Sequence, residues 1–148
     1  MRPQVVAIVG RSGVGKTYLM LALLRKLASA GLTVDSIKHT HHPVFEDTSG
    51  SDTSLHKAAG ARRTILTGPG FCTVFTDGEL SLDEVLRLSS PGADLVLVEG
   101  FKSAEIRKIE VVRKDESMLP TGEAWMTVTS DQSEEVLEAL LGLLGKVP

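Results

Sequence analysis

The sequence predicts an α/β fold in which a largely parallel sheet is covered by helices. Two short runs rich in Val, Leu and Ile, at 5–9 and 93–100, are typical of strands that are buried on both faces. Two longer segments, 15–30 and 133–144, have the spacing of apolar residues that is typical of helices. Strands that alternate with helices along the chain favour parallel pairing.

Turn residues divide the first half of the chain into elements. The helix predicted over 15–30 is followed by Gly31, a residue suited to a left-handed helix cap. The segment 32–39 predicts a second strand, and the polar stretch 40–54 predicts a long loop of the kind that often carries function. A short helix is expected over 53–59.

The second half of the chain begins with a predicted hairpin. Apolar runs at 61–68 and 71–78 are separated by a proline and a glycine, so we expect two antiparallel strands here. Ser81 and Glu84 have the spacing of a capping box and predict a helix over 82–89, which a Pro-Gly pair closes. The remaining predicted strands are 108–114 and 125–130.

Length and composition favour one ordinary folded domain over residues 1–148. Hydrophobic residues make up 42% of the chain and charged residues 24%, which is too apolar for intrinsic disorder. The 16 Lys and Arg against 19 Asp and Glu give a net charge of −3, so charge alone favours neither nucleic acid nor a membrane surface. Four Phe, one Tyr and one Trp are too few for a base-stacking surface.

Cysteine content and the first residues predict a cytoplasmic protein. Cys72 is the single cysteine, so no internal disulfide can form. The first residues lack the charged, apolar and small-residue regions of a signal peptide. No apolar run approaches the roughly 20 residues that cross a bilayer, so we expect no membrane association.

A phosphate-binding loop is predicted between the first strand and the first helix. Residues 10–17 read GRSGVGKT, which matches the pattern G-x-x-x-x-G-K-[ST] in the structural context that its mechanism requires. In such a loop, backbone N–H groups and the helix N-terminus bind phosphate oxygens, the lysine binds the β- and γ-phosphates, and the Ser/Thr hydroxyl binds Mg²⁺. The loop predicts a P-loop NTPase-type three-layer sandwich that binds a nucleoside triphosphate or diphosphate. The candidate nucleotide-binding residues here are Gly10, Arg11, Ser12, Gly13, Val14, Gly15, Lys16, Thr17 and Tyr18.

The bound metal also needs an acidic ligand. Asp94 and Glu99 lie at opposite ends of the strand over 93–100, and Glu99 is favoured because ligands of parallel sheets collect at the carboxyl ends of strands. The alternative for Glu99 is a solvent-facing strand end. Asp52 is a second candidate acid if the long loop folds over the phosphates, and its alternative is the N-cap of the helix over 53–59. The predicted metal ligands are Thr17, Glu99 and Asp52, and the predicted catalytic residues are Asp52 and Lys16.

Guanine specificity has no standard motif in this chain, because the string N-K-x-D is absent. The segment TSD at 129–131 follows the last predicted strand, and the Asp131 carboxylate could accept hydrogen bonds from guanine N1–H and N2–H₂. Adenine offers no such donor pair. The alternative is that Asp131, three residues before Glu134, caps the C-terminal helix.

Four segments together resemble one protein family. They are GRSGVGKT at 10–17, IKHTHH at 37–42, DTSLHKAAGA at 52–61, and LVEGFK at 97–102 followed by KIEVVR. In this order they resemble the MobB family of molybdopterin-guanine dinucleotide biosynthesis adaptor proteins, over most of the chain. The segments IKHTHH and LVEGFK, in this order behind a P-loop, indicate a family much more specifically than the P-loop does alone.

This resemblance implies a homodimeric P-loop protein that binds GTP, and the P-loop itself predicts that Mg²⁺ accompanies the nucleotide. It also implies assistance to a partner nucleotidyltransferase, MobA, which joins GMP to molybdopterin, and molybdopterin itself is a further possible ligand. The positions that match the family outside the P-loop are Lys38, His39, Thr40, His41, His42, Asp52, Glu99, Gly100, Phe101 and Lys102.

Three histidines, His39, His41 and His42, crowd into residues 39–42 at the exit of the predicted second strand. A zinc site normally needs four ligands, and the cysteine and the fourth histidine lie on separate segments. The alternatives are a solvated loop or contacts with an anionic ligand. The anion is favoured, because a strand exit beside a P-loop faces the phosphates.

Three functions fit these patterns. The first is a GTP-binding protein with at most slow hydrolysis, in which positioning and charge stabilise the reaction. The second is a kinase that phosphorylates a small acceptor, for which Arg62 and Arg63 are the candidate lid arginines; their alternative is a solvated surface. The third is a non-catalytic adaptor whose conformation follows the bound nucleotide.

Overall fold

The computed structural model describes residues 2–42, 47–88, 91–114 and 116–146. The chain forms two compact units, one from Met1–Thr40 with Ser89–Pro148 and one from His41–Leu88. Part of the predicted loop over 40–54, residues 43–46, lies outside the described residues, as does the end of the helix predicted over 82–89. Among the described helices, none is long and apolar enough to span a membrane.

The described residues form strands and helices in the alternating order that the sequence predicts. They are β1 (Gln4–Val9), α1 (Lys16–Ser29), β2 (Val34–Lys38), α2 (Asp52–Ala58), β3 (Arg63–Gly68), β4 (Phe71–Thr76), α3 (Leu82–Leu86), β5 (Leu95–Glu99), β6 (Arg107–Val111), β7 (Met126–Val128) and α4 (Ser133–Leu143).

The first unit contains a five-stranded sheet in the order β2-β5-β1-β6-β7, and every neighbouring pair is parallel. This confirms the α/β fold with a mostly parallel sheet. In the second unit β3 and β4 pair antiparallel over Arg63–Gly68 and Phe71–Thr76, which confirms the predicted hairpin. The capping box predicted at Ser81 and Glu84 is also present and begins α3.

The main core lies where α1 and α4 pack on one face of the parallel sheet. Alternate residues of β1, β5 and β6 point into it because side chains alternate between the faces of a strand. Each fully buried Leu or Ile contributes about 1.5–3 kcal/mol to the stability of this layer. The buried core residues are Val6, Ile8, Leu19, Met20, Leu23, Leu27, Leu32, Leu95, Leu97, Ile109, Val111, Val128, Val136 and Leu140.

Helix α1 ends in the left-handed turn that the sequence predicts at Gly31. Its φ angle is 78°, and its N–H donates to the Ala28 oxygen at 3.0 Å. The next N–H, of Leu32, reaches back to the Leu27 oxygen at 3.1 Å. These two bonds form a Schellman motif, which satisfies carbonyls at the end of the helix and turns the chain towards β2.

The connection from β5 to β6 is short for parallel strands. β1 lies between the two strands, so residues 100–106 must cross over it without a helix, whereas such crossovers usually take about a dozen residues or more. The chain reverses at Gly100 and Phe101, whose φ angles are 105° and 51°. The Gly100 N–H donates to the Ile8 oxygen at 3.2 Å, which holds the crossover against β1.

Glu110, on β6, is a buried carboxylate that organises the segment after the strand. It is 1% exposed and accepts hydrogen bonds from the Ser117 hydroxyl at 2.7 Å and from the backbone N–H groups of Met118 and Leu119. Burial alone would raise the pKa of this carboxyl, but the three hydrogen bonds together hold the pKa below its usual value. Glu110 therefore holds residues 117–119 next to β6 as an ionised side chain.

We expect Glu110→Gln to destabilise the protein by about 1–3 kcal/mol at pH 7, because the amide cannot accept from all three donors. Since folding lowers the pKa of Glu110, its stabilisation is present above the unfolded-state value near 4.5 and is lost as the pH falls through and below that value. The difference in unfolding free energy between wild type and variant should therefore shrink in acid. Urea unfolding from pH 7 to pH 3 measures it, and a constant difference would contradict this role.

Candidate functional site

The predicted phosphate-binding loop lies at the carboxyl end of β1 and leads into α1. Gly15 precedes the helix with a φ angle of 97°, a conformation that glycine adopts without strain. No side chain caps this helix N-terminus, and its first turn contains no acidic residue. The first N–H groups of α1 are therefore available to an anion, and the helix dipole favours negative charge at this position.

Two glycines of the loop are required by close contacts with the neighbouring strands. A Cβ atom on Gly10 would lie 2.4 Å from the Val111 carbonyl oxygen of β6, and one on Gly15 would lie 2.5 Å from the Ser130 Cβ after β7. Gly13, at the tip of the loop, has open space around it. All three glycines have positive φ angles, of 151°, 79° and 97°, and close packing is a second requirement at Gly10 and Gly15.

Lys16 is held by its own loop. Its ammonium donates to the Gly10 oxygen at 2.9 Å and to the Arg11 oxygen at 2.7 Å. Burial lowers the pKa of Lys16, the neighbouring Glu99 carboxylate partly offsets this, and the Lys38 ammonium lowers it further. The Lys16 ammonium therefore lies against the first two residues of the loop, and it is close enough to the Lys38 ammonium to be influenced by its charge.

Glu99 and Thr17 meet as the sequence predicts. The Thr17 hydroxyl lies 3.2 and 3.3 Å from the two Glu99 carboxylate oxygens. Glu99 is only 6% exposed, so the alternative of a solvent-facing strand end is wrong. The third member of this group is Lys38, whose ammonium forms an ion pair with Glu99.

The oxygens of Thr17 and Glu99 fit a magnesium ion. Mg²⁺ takes oxygen ligands at about 2.0–2.1 Å in octahedral geometry, so adjacent ligands lie about 3 Å apart. The hydroxyl and carboxylate oxygens are 3.2–3.3 Å apart and belong to hard donors of the type that Mg²⁺ prefers. The residues present could hold this ion with little movement.

Asp94, the other acid considered on the same strand, lies at the opposite end of β5. Its carboxylate accepts from the Thr33 N–H at 2.9 Å and from the Lys146 ammonium at 3.4 Å. The Thr33 hydrogen bond holds the pKa of Asp94 below its usual value. Asp94 thus stabilises the amino end of the strand, which supports the choice of Glu99 as the acid at the carboxyl end.

The histidines follow β2 instead of lying within it, since the strand ends at Lys38. His39 is part-buried, and its ring stacks on the Phe101 ring with the centroids 4.1 Å apart. A Cβ on Gly100 would lie 3.0 Å from the His39 Cβ, so the crossover after β5 packs closely against this residue. His41 and His42 are exposed and belong to the second unit. Contacts of the three histidines with an anion stay predictions.

Asp131 does not cap the C-terminal helix. Helix α4 has Gln132 at its N-cap position without a side-chain cap, so the capping alternative is wrong. Instead, Asp131 is exposed and accepts a hydrogen bond from the Thr129 hydroxyl at 2.5 Å, which lowers its pKa. The preceding residue, Ser130, is the one that Gly15 approaches. Asp131 therefore remains ionised near the phosphate-binding loop, where a role in base binding stays a prediction.

Arg113 contacts the loop, and the sequence alone does not predict this. Its guanidinium donates to the Gly13 oxygen at 3.1 Å, across 100 residues of sequence. Arg113 follows β6, and β6 neighbours β1, so the parallel pairing of these strands brings the arginine to the loop. The position of Arg113 near the end of the strand predicted over 108–114 is the only signal in the sequence that could have indicated this contact.

The remaining candidate residues are Asp52, Arg62 and Arg63 in the second unit and Tyr18 in the first. Asp52 is exposed in the second unit and is the first residue of α2; Ser51, not Asp52, is the N-cap, so that alternative is wrong. Arg62 and Arg63 are also exposed in the second unit. Tyr18 is 67% exposed at the start of α1. The roles of Asp52 in metal binding and catalysis stay predictions.

Sequence comparisons point to one family. Residues 5–131 match the family model of Molybdopterin guanine dinucleotide synthesis protein B, MobB. The chain is 37% identical over 113 residues to a molybdopterin-guanine dinucleotide biosynthesis adapter protein of Escherichia coli K12, covering 73% of this chain and 65% of the relative. A Bacillus subtilis protein described as a probable adapter of the same name is 30% identical over 77% of this chain and 68% of its own length. The chain thus spans about two thirds of these relatives, slightly less for the first.

Solved structures agree with the fold. A MobB protein homolog from Bacillus stearothermophilus has a TM-score of 0.64 and 25% identity, covering 95% of this chain and 97% of that one. A crystal structure of molybdopterin-guanine biosynthesis protein B has a TM-score of 0.66 at 23% identity, covering 96% and 99%. At that identity the second likeness supports the fold alone.

The contact between Gly15 and Ser130 can be tested by stability. We expect Gly13→Ala to cost about 1–2 kcal/mol, because alanine must adopt a left-handed conformation without meeting other atoms. Gly15→Ala has the same backbone strain and adds a collision with Ser130, so it should cost about 1–3 kcal/mol more. Urea unfolding of both variants measures the difference. Equal destabilisation would show that Gly15 and Ser130 are not in close contact.

Proposed function

This chain belongs to the MobB family, and on that premise we propose that it binds GTP with Mg²⁺ and acts as an adaptor in molybdopterin-guanine dinucleotide biosynthesis. Its role is to assist a partner nucleotidyltransferase in joining GMP to molybdopterin. The observation that carries the nucleotide part of this proposal is the joint position of the loop 10–17, the free helix N-terminus and the pair formed by Thr17 and Glu99.

The phosphates, the metal ion and the base of bound GTP each have a suitable group in this site. Backbone N–H groups at the start of α1 and the Lys16 ammonium suit the phosphates, because a phosphate chain offers many acceptors and negative charge. Thr17 and Glu99 suit Mg²⁺, which when bound supplies charge neutralisation at the β- and γ-phosphates. The Asp131 carboxylate suits the guanine N–H donors, and its lowered pKa keeps it an acceptor at neutral pH.

Any hydrolysis by this chain is proposed to be slow. The described residues around the loop provide positive charge from Lys16, Lys38 and Arg113, which suits stabilisation of phosphate oxygens. Asp52 and Lys16 are the candidate catalytic residues, and Asp52 is also the candidate second metal acid. A chain that mainly binds and releases nucleotide fits an adaptor, and molybdopterin is a further possible ligand.

A homodimer is proposed on the basis of the second unit. The hairpin of β3 and β4 exposes Ile65, Leu66 and Phe71, each 44–58% exposed. Within the described residues, neither strand pairs with a third one. Two-stranded sheets are marginally stable alone, and exposed apolar strand edges favour pairing with another chain. A second copy of this chain would supply both the apolar cover and the missing strand partners.

Lys16→Ala tests the nucleotide-binding site. We expect the affinity for GTP with Mg²⁺ to fall about 10- to 100-fold, because the variant loses charged hydrogen bonds to the phosphates. Lys26→Ala, on the same helix but paired with Glu134 of α4, is the matched control and should bind like the wild type. Isothermal titration measures both, and the yield of guanine dinucleotide with the partner transferase is measured in parallel. Unchanged GTP binding by Lys16→Ala would refute the assignment of the site.

Asp131→Asn tests the proposed guanine contact. The amide loses the negative charge that favours the two guanine donors, so the preference for GTP over ATP should fall at least about tenfold. Asp94→Asn replaces a hydrogen-bonded carboxylate at the other end of the sheet and should keep the preference. Competition of GTP and ATP for a fluorescent nucleotide measures the ratio. An unchanged ratio in Asp131→Asn would place guanine recognition elsewhere.

A further inference from the structure

Lys38 and Glu99 are direct neighbours in the sheet. They are register partners at the carboxyl ends of β2 and β5, and the His39 backbone N–H donates to the Glu99 backbone carbonyl oxygen at 2.9 Å. The backbone of Lys38 is therefore fixed at the edge of the sheet that also carries the phosphate-binding loop. Its side chain is 60% exposed, while the Glu99 side chain is 8% exposed, so a flexible lysine reaches from solvent onto a buried carboxylate.

Two ammonium groups act on the region of the Glu99 carboxylate. Lys38 forms an ion pair with Glu99, and both Glu99 and Lys38 are close enough to Lys16 to influence its pKa. The two ammonium groups are close enough for Lys38 to lower the pKa of Lys16. Two ammonium groups this close suit an anion with several negative oxygens, because the single Glu99 carboxylate cannot neutralise both of them.

The position of Lys38 indicates which phosphate it suits. The loop and Lys16 lie at β1, whereas Lys38 lies two strands away, on the side of Thr17 and Glu99. In P-loop proteins the metal ion bridges the β- and γ-phosphates, so the metal side of the loop is the side of the terminal phosphate. An ammonium that already reaches the carboxylate bound by Thr17 lies on that side.

We propose that Lys38 is a second phosphate-binding cation, which exchanges its ion pair with Glu99 for the terminal phosphate of a bound triphosphate. This inference rests on the proposed function, because it requires a triphosphate on the loop. It assigns to Lys38 the distinction between GTP and GDP. Transfer of the lysine from Glu99 to the phosphate leaves the carboxylate available to the metal.

The test compares the affinities for GTP and GDP in the presence of Mg²⁺. The full chain is titrated as wild type, Lys38→Met, Lys38→Arg and Lys26→Met. The last variant also breaks a lysine–glutamate pair, the one between α1 and α4. Lys38→Met should weaken GTP about tenfold and GDP less than about twofold, because only GTP carries the phosphate that Lys38 contacts. Lys38→Arg keeps the charge and should lose less, and Lys26→Met should match the wild type.

Three other outcomes of these titrations would contradict either the role of Lys38 or the proposed function. Equal loss of GTP and GDP in Lys38→Met would mean that the residue acts through the loop as a whole, which overturns the inference. Unchanged GTP affinity in this variant, with a wild type that binds GTP, overturns the inference and leaves the proposed function standing. A wild type that binds neither nucleotide contradicts the proposed function itself. Thermal unfolding accompanies each titration, and Lys38→Gln replaces Lys38→Met under the same criteria if the latter does not fold.

Discussion

Parallel pairing of β1 with β5 and of β5 with β2 is the constraint on which the candidate site depends. Parallel strands bring their carboxyl ends to one edge, and here those ends carry Gly10, Glu99 and Lys38. The register is strict, because a shift of one residue would turn Glu99 to the other face of the sheet and bring an apolar neighbour towards Thr17. The buried apolar residues of β1 and β5 resist such a shift. The hydrophobic core therefore positions charged groups that contribute little to it.

The sequence was sufficient to predict the features that depend on local pattern. The P-loop, the strand that ends at Glu99, the hairpin and the capping box at Ser81 each follow from residue types at short spacing, and the structure has all of them. The contact between Thr17 and Glu99 was also predictable, because the carboxyl ends of buried parallel strands meet at one edge.

Features that depend on long-range packing were not predictable from the same patterns. Arg113 reaches Gly13, and Ser130 packs on Gly15, only because β6 and β7 pair on one side of β1 in that order.

Helix caps were difficult to predict for a different reason. At the starts of α2 and α4 several polar residues compete, and neither Asp52 nor Asp131 proved to be the cap. The sequence can predict that an aspartate near the start of a helix is exposed, but it does not predict which group that aspartate accepts a hydrogen bond from.

The burial of Glu99 has an energetic consequence for nucleotide binding. A carboxylate removed from water is costly without a cation or hydrogen-bond donors, so Glu99 needs partners even when no metal is bound. Thr17 and Lys38 provide them. Because the Lys38 side chain stays largely in solvent, its attraction to Glu99 is screened and the pair contributes little to folding. Exchange of Lys38 for another cation therefore costs little free energy, whereas removal of every partner would leave a buried charge. The same arrangement thus gives the buried carboxylate its partners and leaves it available for exchange.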